Sequence, residues 1–318
     1  MGPASPPQSA RRMNSSITIA RVFGIPVKIE FTWLIIFAVL LIPGGLYHLP
    51  NQFPHWSSVE VWTVAGVYTL LFFTSILLHE LAHSLVAKLH GIPVKSITLW
   101  LFGGVAYLTK AADRPRTEAL ISIAGPAVNL VIGAALFAYL YLTGPGNEHI
   151  EMLAVYLLGA NVILAIFNLM PGLPLDGGQL VRSAVWAVTR SRERGTVYAS
   201  LGGCGVALLV CVGGMSLVYF LGEWLSGLWL GFIGFWMLQT AIAGYRGART
   251  REKMSGFSAY HVMSPYTGLP SPPDALQIPA QVNALTLLDY MHQNSVSRAF
   301  VTNGSQIVGV IDVQLSRT

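Results

Sequence analysis

Apolar residues along this chain gather in long blocks rather than alternating with polar ones. Six stretches carry no Asp, Glu, Lys or Arg: Phe31–Val59, Val61–Leu78, Ala119–Asn147, Met152–Leu175, Gly195–Gly222 and Trp224–Tyr245. Each approaches or exceeds the roughly 20 residues with which a helix crosses about 30 Å of hydrocarbon. The pattern predicts six transmembrane helices. Two shorter segments differ. Residues 16–30 (SITIARVFGIPVKIE) are β-branched and broken by Gly24 and Pro26, which predicts strands or an interfacial hairpin. Residues 96–108 (SITLWLFGGVAYL) are too few to span and are interrupted by Gly103 and Gly104. A strand there must be buried in protein or line a watery cavity, because a bare strand edge cannot face lipid.

After about residue 254 the chain turns polar, is Pro-rich around 265–279, and then offers a helix-like piece, Ala284–Asn294, and a strand-like piece, Ala299–Val313. The predicted fold class is thus an α-helical polytopic membrane protein: six transmembrane helices with small membrane-associated β segments, plus a C-terminal α/β module. Its boundaries fall at 1–15 (a disordered N-terminus rich in Pro, Ser and Gln), 16–246 (the membrane domain), 247–257 (a linker) and 258–318 (the module).

Composition agrees: of 318 residues 53% are hydrophobic and 10% charged, where soluble domains carry about 25% charged residues. The net charge of +5 could suggest nucleic acid, but its distribution argues otherwise. Lys and Arg are absent from 48–60, 144–151 and 222–228 and crowd into 11–28, 88–116, 182–194 and 246–253, which are alternate loops. Under the positive-inside rule this places both termini in the cytoplasm of a multi-pass cell-membrane protein, with no nucleic-acid partner. The first 29 residues lack the apolar core of a cleavable signal peptide, so the first span is expected to direct insertion. Cys204 and Cys211 share one face of the fifth span without CxxC spacing or a nearby His, and predict neither disulfide nor metal site.

The second span runs into His79-Glu80-Leu81-Ala82-His83. Histidines four apart lie one turn from each other on one helix face, where both imidazoles reach a single zinc ion. Glu80, next to the first, can bring its carboxylate to a reacting water without itself ligating the metal. A catalytic zinc usually takes a third protein ligand and keeps a fourth position open. The candidate is Asp176, in the run from Asn168 to Gly178 at the end of the fourth span. Asp-Gly is also a common turn signal, yet the second and fourth spans run in the same direction, which brings His79, His83 and Asp176 to one cytoplasmic depth.

With these residues the chain resembles the site-2 proteases, the intramembrane metalloproteases of the M50 group. The resemblance covers roughly residues 16–246 and rests on HExxH at 79–83, the pair Gly103-Gly104, Ala124-Gly125-Pro126-x-x-Asn129, and NxxPxxPLDGG at 168–178. It implies one catalytic Zn2+ held by His79, His83 and Asp176, with Glu80 as catalytic carboxylate. It also implies substrate contacts at Gly103, Gly104, Asn129 and Asn168, although Asn129 could equally make an interhelical hydrogen bond. The implied substrates are single-span membrane proteins cut in regulated intramembrane proteolysis. The segment from His261-Val262-Met263 to Gln306–Asp312 resembles a CBS motif, as in one branch of that family, which implies a homodimer through this module and an adenine nucleotide. A catalytically silent scaffold or nucleotide-responsive regulator of the same fold is the alternative function class. Glu80 between the histidines weighs against it, since a structural metal site needs no general base.

Overall fold

The computed structural model describes residues 16–101, 103–144, 146–254, 256–265, 276–293, 296–304 and 306–312. The disordered segment expected over 1–15 lies outside them. Among the described residues six helices are long and apolar enough to cross a membrane: α1 (Trp33–Gln52), α2 (Ser58–Leu89), α3 (Pro115–Thr143), α4 (Glu148–Asn168), α6 (Arg192–Leu221) and α7 (Trp224–Met254). A seventh, α5 (Asp176–Thr189), is too short to span.

Local chemistry sets the helix ends. Ser57 caps α2 in a reciprocal box with Glu60: the Glu60 N–H donates to Ser57 Oγ at 3.3 Å, and the Ser57 N–H donates to Glu60 Oε2 at 2.7 Å. Asn147 and Ser191 accept first-turn N–H groups of α4 and α6 in the same way. Gly222, at a φ of 68°, closes α6 before α7 begins. At 32 residues, α2 is about 48 Å long at 1.5 Å per residue. It does not end at the HExxH run, as the charge-free stretch suggests, but continues to Leu89. Residues 81–89 are mostly good helix formers, so a single Glu does not stop it.

The β segments join one sheet of order β1-β2-β3-β4. β1 (Ser16–Val22) and β2 (Ile25–Glu30) form an antiparallel hairpin, β2 pairs in parallel with β3 (Val94–Trp100), and β3 pairs antiparallel with β4 (Gly103–Leu108). The single strand expected over 96–108 is therefore a hairpin, its reversal eased by Gly103 at a φ of 120°. Ile25 and Ile97 bury one sheet face against Leu77, Leu81 and Leu85 of α2, so the sheet rests on the helix that carries HExxH. β4 is an edge strand.

The chain separates into two units, one of Met13–Ile242 and one containing Ala243–Thr318. The stretch expected as a linker, 247–257, is helical as far as Met254. Its charged residues are good helix formers, and Arg249 pairs with Glu252 one turn on at 3.2 Å. Beyond it, α8 (Ala259–Val262), β5 (Ser264–Pro265), β6 (Leu276–Pro279), α9 (Ala284–Gln293), β7 (Arg298–Asn303) and β8 (Gln306–Asp312) follow. Their sheet has the order β5-β8-β7-β6 around a core of Ile278, Leu287, Met291, Val301 and Ile311. The strand expected over 299–313 is two, reversed at Gly304 with a φ of 64°.

Candidate metal centre

His79 and His83 project from the C-terminal half of α2, and Asp176 is the first residue of α5. All three are buried. Their ligand atoms form a nearly equilateral triangle: His79 Nε2 to His83 Nε2 3.1 Å, His79 Nε2 to Asp176 Oδ2 3.1 Å, and His83 Nε2 to Asp176 Oδ2 3.3 Å. Tetrahedral zinc with bonds near 2.0–2.1 Å sets its ligands about 3.3–3.4 Å apart, so the triangle has nearly the size of one zinc face. Asp176 Oδ2 is a buried carboxylate oxygen without a directed hydrogen bond among the described residues, an expensive state unless a cation completes it. Two imidazoles and one carboxylate are also a donor set that zinc takes.

Each ligand is held from behind. The His83 Nδ1–H donates to the Ile121 carbonyl at 2.6 Å, and His79 Nδ1 lies 2.5 Å from Asn129 Oδ1. Asp176 Oδ1 accepts from Gln179 Nε2 at 3.4 Å, and Gln179 Oε1 accepts from Arg182 at 3.5 Å. Arg182 is bound to buried Glu118 of α3, whose second oxygen takes Arg192 of α6 at 3.1 Å. Partners of this kind orient metal ligands and tune their basicity. Space for the two rings comes from Gly125: a Cβ there would lie 2.6 Å from His79 Nε2.

A cavity of about 380 Å³ opens onto the triangle, lined by Glu80, His79, His83 and Asp176, by Gly103 to Ala106 of β4, and by Asn168. Glu80 packs against Gly104, where a Cβ would come within 3.0 Å of its carboxyl carbon. Gly104 thus makes room for the carboxylate, a role separate from the substrate contact expected of it. Gly103 lines the cavity with open space above its α-carbon. Asn168 spends one amide hydrogen on the Leu164 carbonyl at 3.0 Å, and a side-chain amide has a second hydrogen and an acceptor oxygen besides.

Of the two roles open to Asn129, the structure has the interhelical hydrogen bond. It is fully buried between helices, with Oδ1 at His79 and Nδ2 donating to Asn161 Oδ1 at 2.8 Å. Its oxygen meets the His79 ring and its nitrogen meets Asn161, so it backs the histidine and is not among the residues lining the cavity. Asn161, Ser75, Gln179 and Glu118 carry no motif and were not singled out by sequence. The available signal was their polarity inside or beside apolar spans, where such groups bond between helices.

The sequence signature of Peptidase family M50 matches residues 67–152 and 146–212. The chain is 35% identical over 306 residues to sll0528 of Synechocystis sp., a protein provisionally named a zinc metalloprotease, covering 94% of this chain and 76% of that protein. It is 32% identical to Rip3 of Mycobacterium tuberculosis, also provisionally named so, over 79% of this chain and 64% of that one. A solved site-2 protease from Methanocaldococcus jannaschii is 29% identical and superposes with a TM-score of 0.50, covering 70% of this chain and 95% of that one.

Proposed function

The chain belongs to peptidase family M50, the site-2 proteases, and from that premise we propose that it is an intramembrane zinc metalloendopeptidase. His79, His83 and Asp176 hold one zinc ion and Glu80 is the general base. The observation that carries the proposal is a metal-sized triangle of ligand atoms sharing one cavity with a carboxylate that ligates nothing. Bound there, zinc would supply a Lewis acid for the scissile carbonyl and would ease ionisation of the attacking water. Glu80, pressed against Gly104, accepts the proton of that water and returns it to the leaving amine, so one carboxylate serves as base and then as acid. Asn168 offers its remaining amide hydrogen to the substrate backbone. A substrate helix shields its own amides and must unwind before attack. β4, an edge strand along the cavity, receives the extended segment as an added strand.

The substrates that suit this arrangement are single-span membrane proteins, cut within or near the span in regulated proteolysis. Both chain ends face the cytoplasm, in keeping with the alternating basic loops. Residues 258–318 act as a CBS-like regulatory module, pairing across a homodimer and answering to an adenine nucleotide. The parallel β6–β7 pair, with α9 between the two strands in sequence, is compatible with such a unit.

The test is Glu80→Gln in the purified full-length protein with a model single-span substrate. Zinc should remain at one ion per chain while cleavage falls by about 10²–10⁴-fold, the usual range for loss of an acid–base group. Retention of more than a few per cent of wild-type cleavage would remove Glu80 from the mechanism. A wild type that holds zinc yet cuts nothing would favour the silent scaffold.

A further inference from the structure

Asn161 sits in α4, 1% exposed and outside the cavity lining. Its amide nitrogen donates to the Leu157 carbonyl at 2.9 Å and to Ser75 Oγ at 3.1 Å, and its Oδ1 accepts from Asn129 Nδ2 at 2.8 Å. A carbonyl can only accept, so Leu157 fixes which way this amide faces. Ser75 gives the same answer independently. Its single hydroxyl hydrogen goes to the Leu71 carbonyl at 3.2 Å, so toward Asn161 it accepts.

The polarity then propagates without a free choice. Asn161 must turn its oxygen to Asn129, Asn129 must turn its nitrogen to Asn161 and its oxygen to His79, and His79 must carry its hydrogen on Nδ1. That tautomer leaves the Nε2 lone pair facing His83 and Asp176. The competing tautomer is a real threat: Asp176 Oδ2, 3.1 Å from His79 Nε2, would otherwise hold a hydrogen there and block the ligand atom. We infer that Asn161 is a positioning residue for the metal centre, setting the tautomer and ring direction of His79 through Asn129 across three helices. The inference rests on the zinc assignment above.

Two near-isosteric variants of the full-length protein in detergent separate this from simple packing. In Asn161→Asp, one oxygen still accepts from Asn129 while the other, protonated, donates to Leu157. In Asn161→Leu, both functions vanish. A packing role favours Leu, since an ionisable side chain inside a span is the costlier choice; the polarity role favours Asp. With zinc alone as the probe, titrated against a chromophoric chelator, Asn161→Leu should bind about 10–100-fold more weakly, the usual loss for a partner behind a ligand. Asn161→Asp should stay close to wild type, and Thr69→Val, at a buried polar position on α2 outside this chain of bonds, should not change affinity. Cobalt(II) in Asn161→Leu should show an altered visible absorption band. Wild-type affinity in Asn161→Leu, or equal losses in Asn161→Leu and Asn161→Asp, overturns the inference. If Asn161→Leu does not fold, Asn161→Asp decides alone: retained affinity supports it and a tenfold loss overturns it. Magnetic resonance of isotope-labelled histidine in the wild-type protein needs no variant: before zinc is added the His79 ring should carry its hydrogen on Nδ1, and finding it on Nε2 overturns the inference. A wild type that binds no zinc would instead overturn the metal assignment itself.

Discussion

At the scale of single residues, two glycines separate metal binding from catalysis. Gly125 faces both histidines, and a Cβ there would lie 2.6 Å from His79 Nε2. A Cβ at Gly104 would instead meet the Glu80 side chain first. Gly125→Ala should therefore lower zinc affinity by about tenfold or more, at least as much as loss of a partner that orients a ligand. Gly104→Ala should keep zinc and lose turnover. Zinc content and cleavage measured on both variants check this; loss of zinc in Gly104→Ala would break the distinction. The ligands themselves were legible in sequence, because HExxH fixes two histidines on one helix face and the PLDGG run supplies the carboxylate. The groups behind them were not. Asn129 read either as a substrate contact or as an interhelical hydrogen bond, because sequence shows that a polar residue lies in a span but not which neighbour it meets. Pairing Asn129 with His79 and Asn161 depends on the rotational register of three helices.

Among the elements, the spans were legible because their signal is long and apolar, and α5 was not. It has only 14 residues of mixed polarity and reads as part of a basic loop. Yet α5 carries Asp176, and its place is set by charge: buried Glu118 of α3 binds Arg182 of α5 and Arg192 of α6. Removing Glu118 leaves two partly buried guanidinium groups unpaired, a change that costs about 3 kcal/mol, and loosens the helix that brings in the third ligand. Glu118→Ala should accordingly lower the thermal midpoint in detergent and weaken zinc binding together. A lower midpoint with unchanged zinc affinity would show that this cluster supports the fold but does not place Asp176. The β segments were half legible. β-branched runs announced strands, but pairing β2 with β3 joins residues about 70 apart in sequence, and no local pattern encodes that.

For the whole molecule, the alternation of basic loops is the argument for topology. Reporter fusions at 52, 147 and 225 should report the outside and fusions at 112, 192 and 254 the inside. A reversed pattern would contradict the positive-inside assignment. The same topology underlies the sequence expectation that the second and fourth spans run in parallel, which is how residues 97 positions apart could be expected at one metal. That convergence is the central claim, and X-ray absorption at the zinc edge of the purified full-length protein tests it most directly. The account predicts one zinc per chain with two imidazoles and oxygen donors at about 2.0–2.1 Å, and loss of an oxygen donor in Asp176→Ala. A sulfur shell at about 2.3 Å, or an unchanged spectrum in Asp176→Ala, would contradict it.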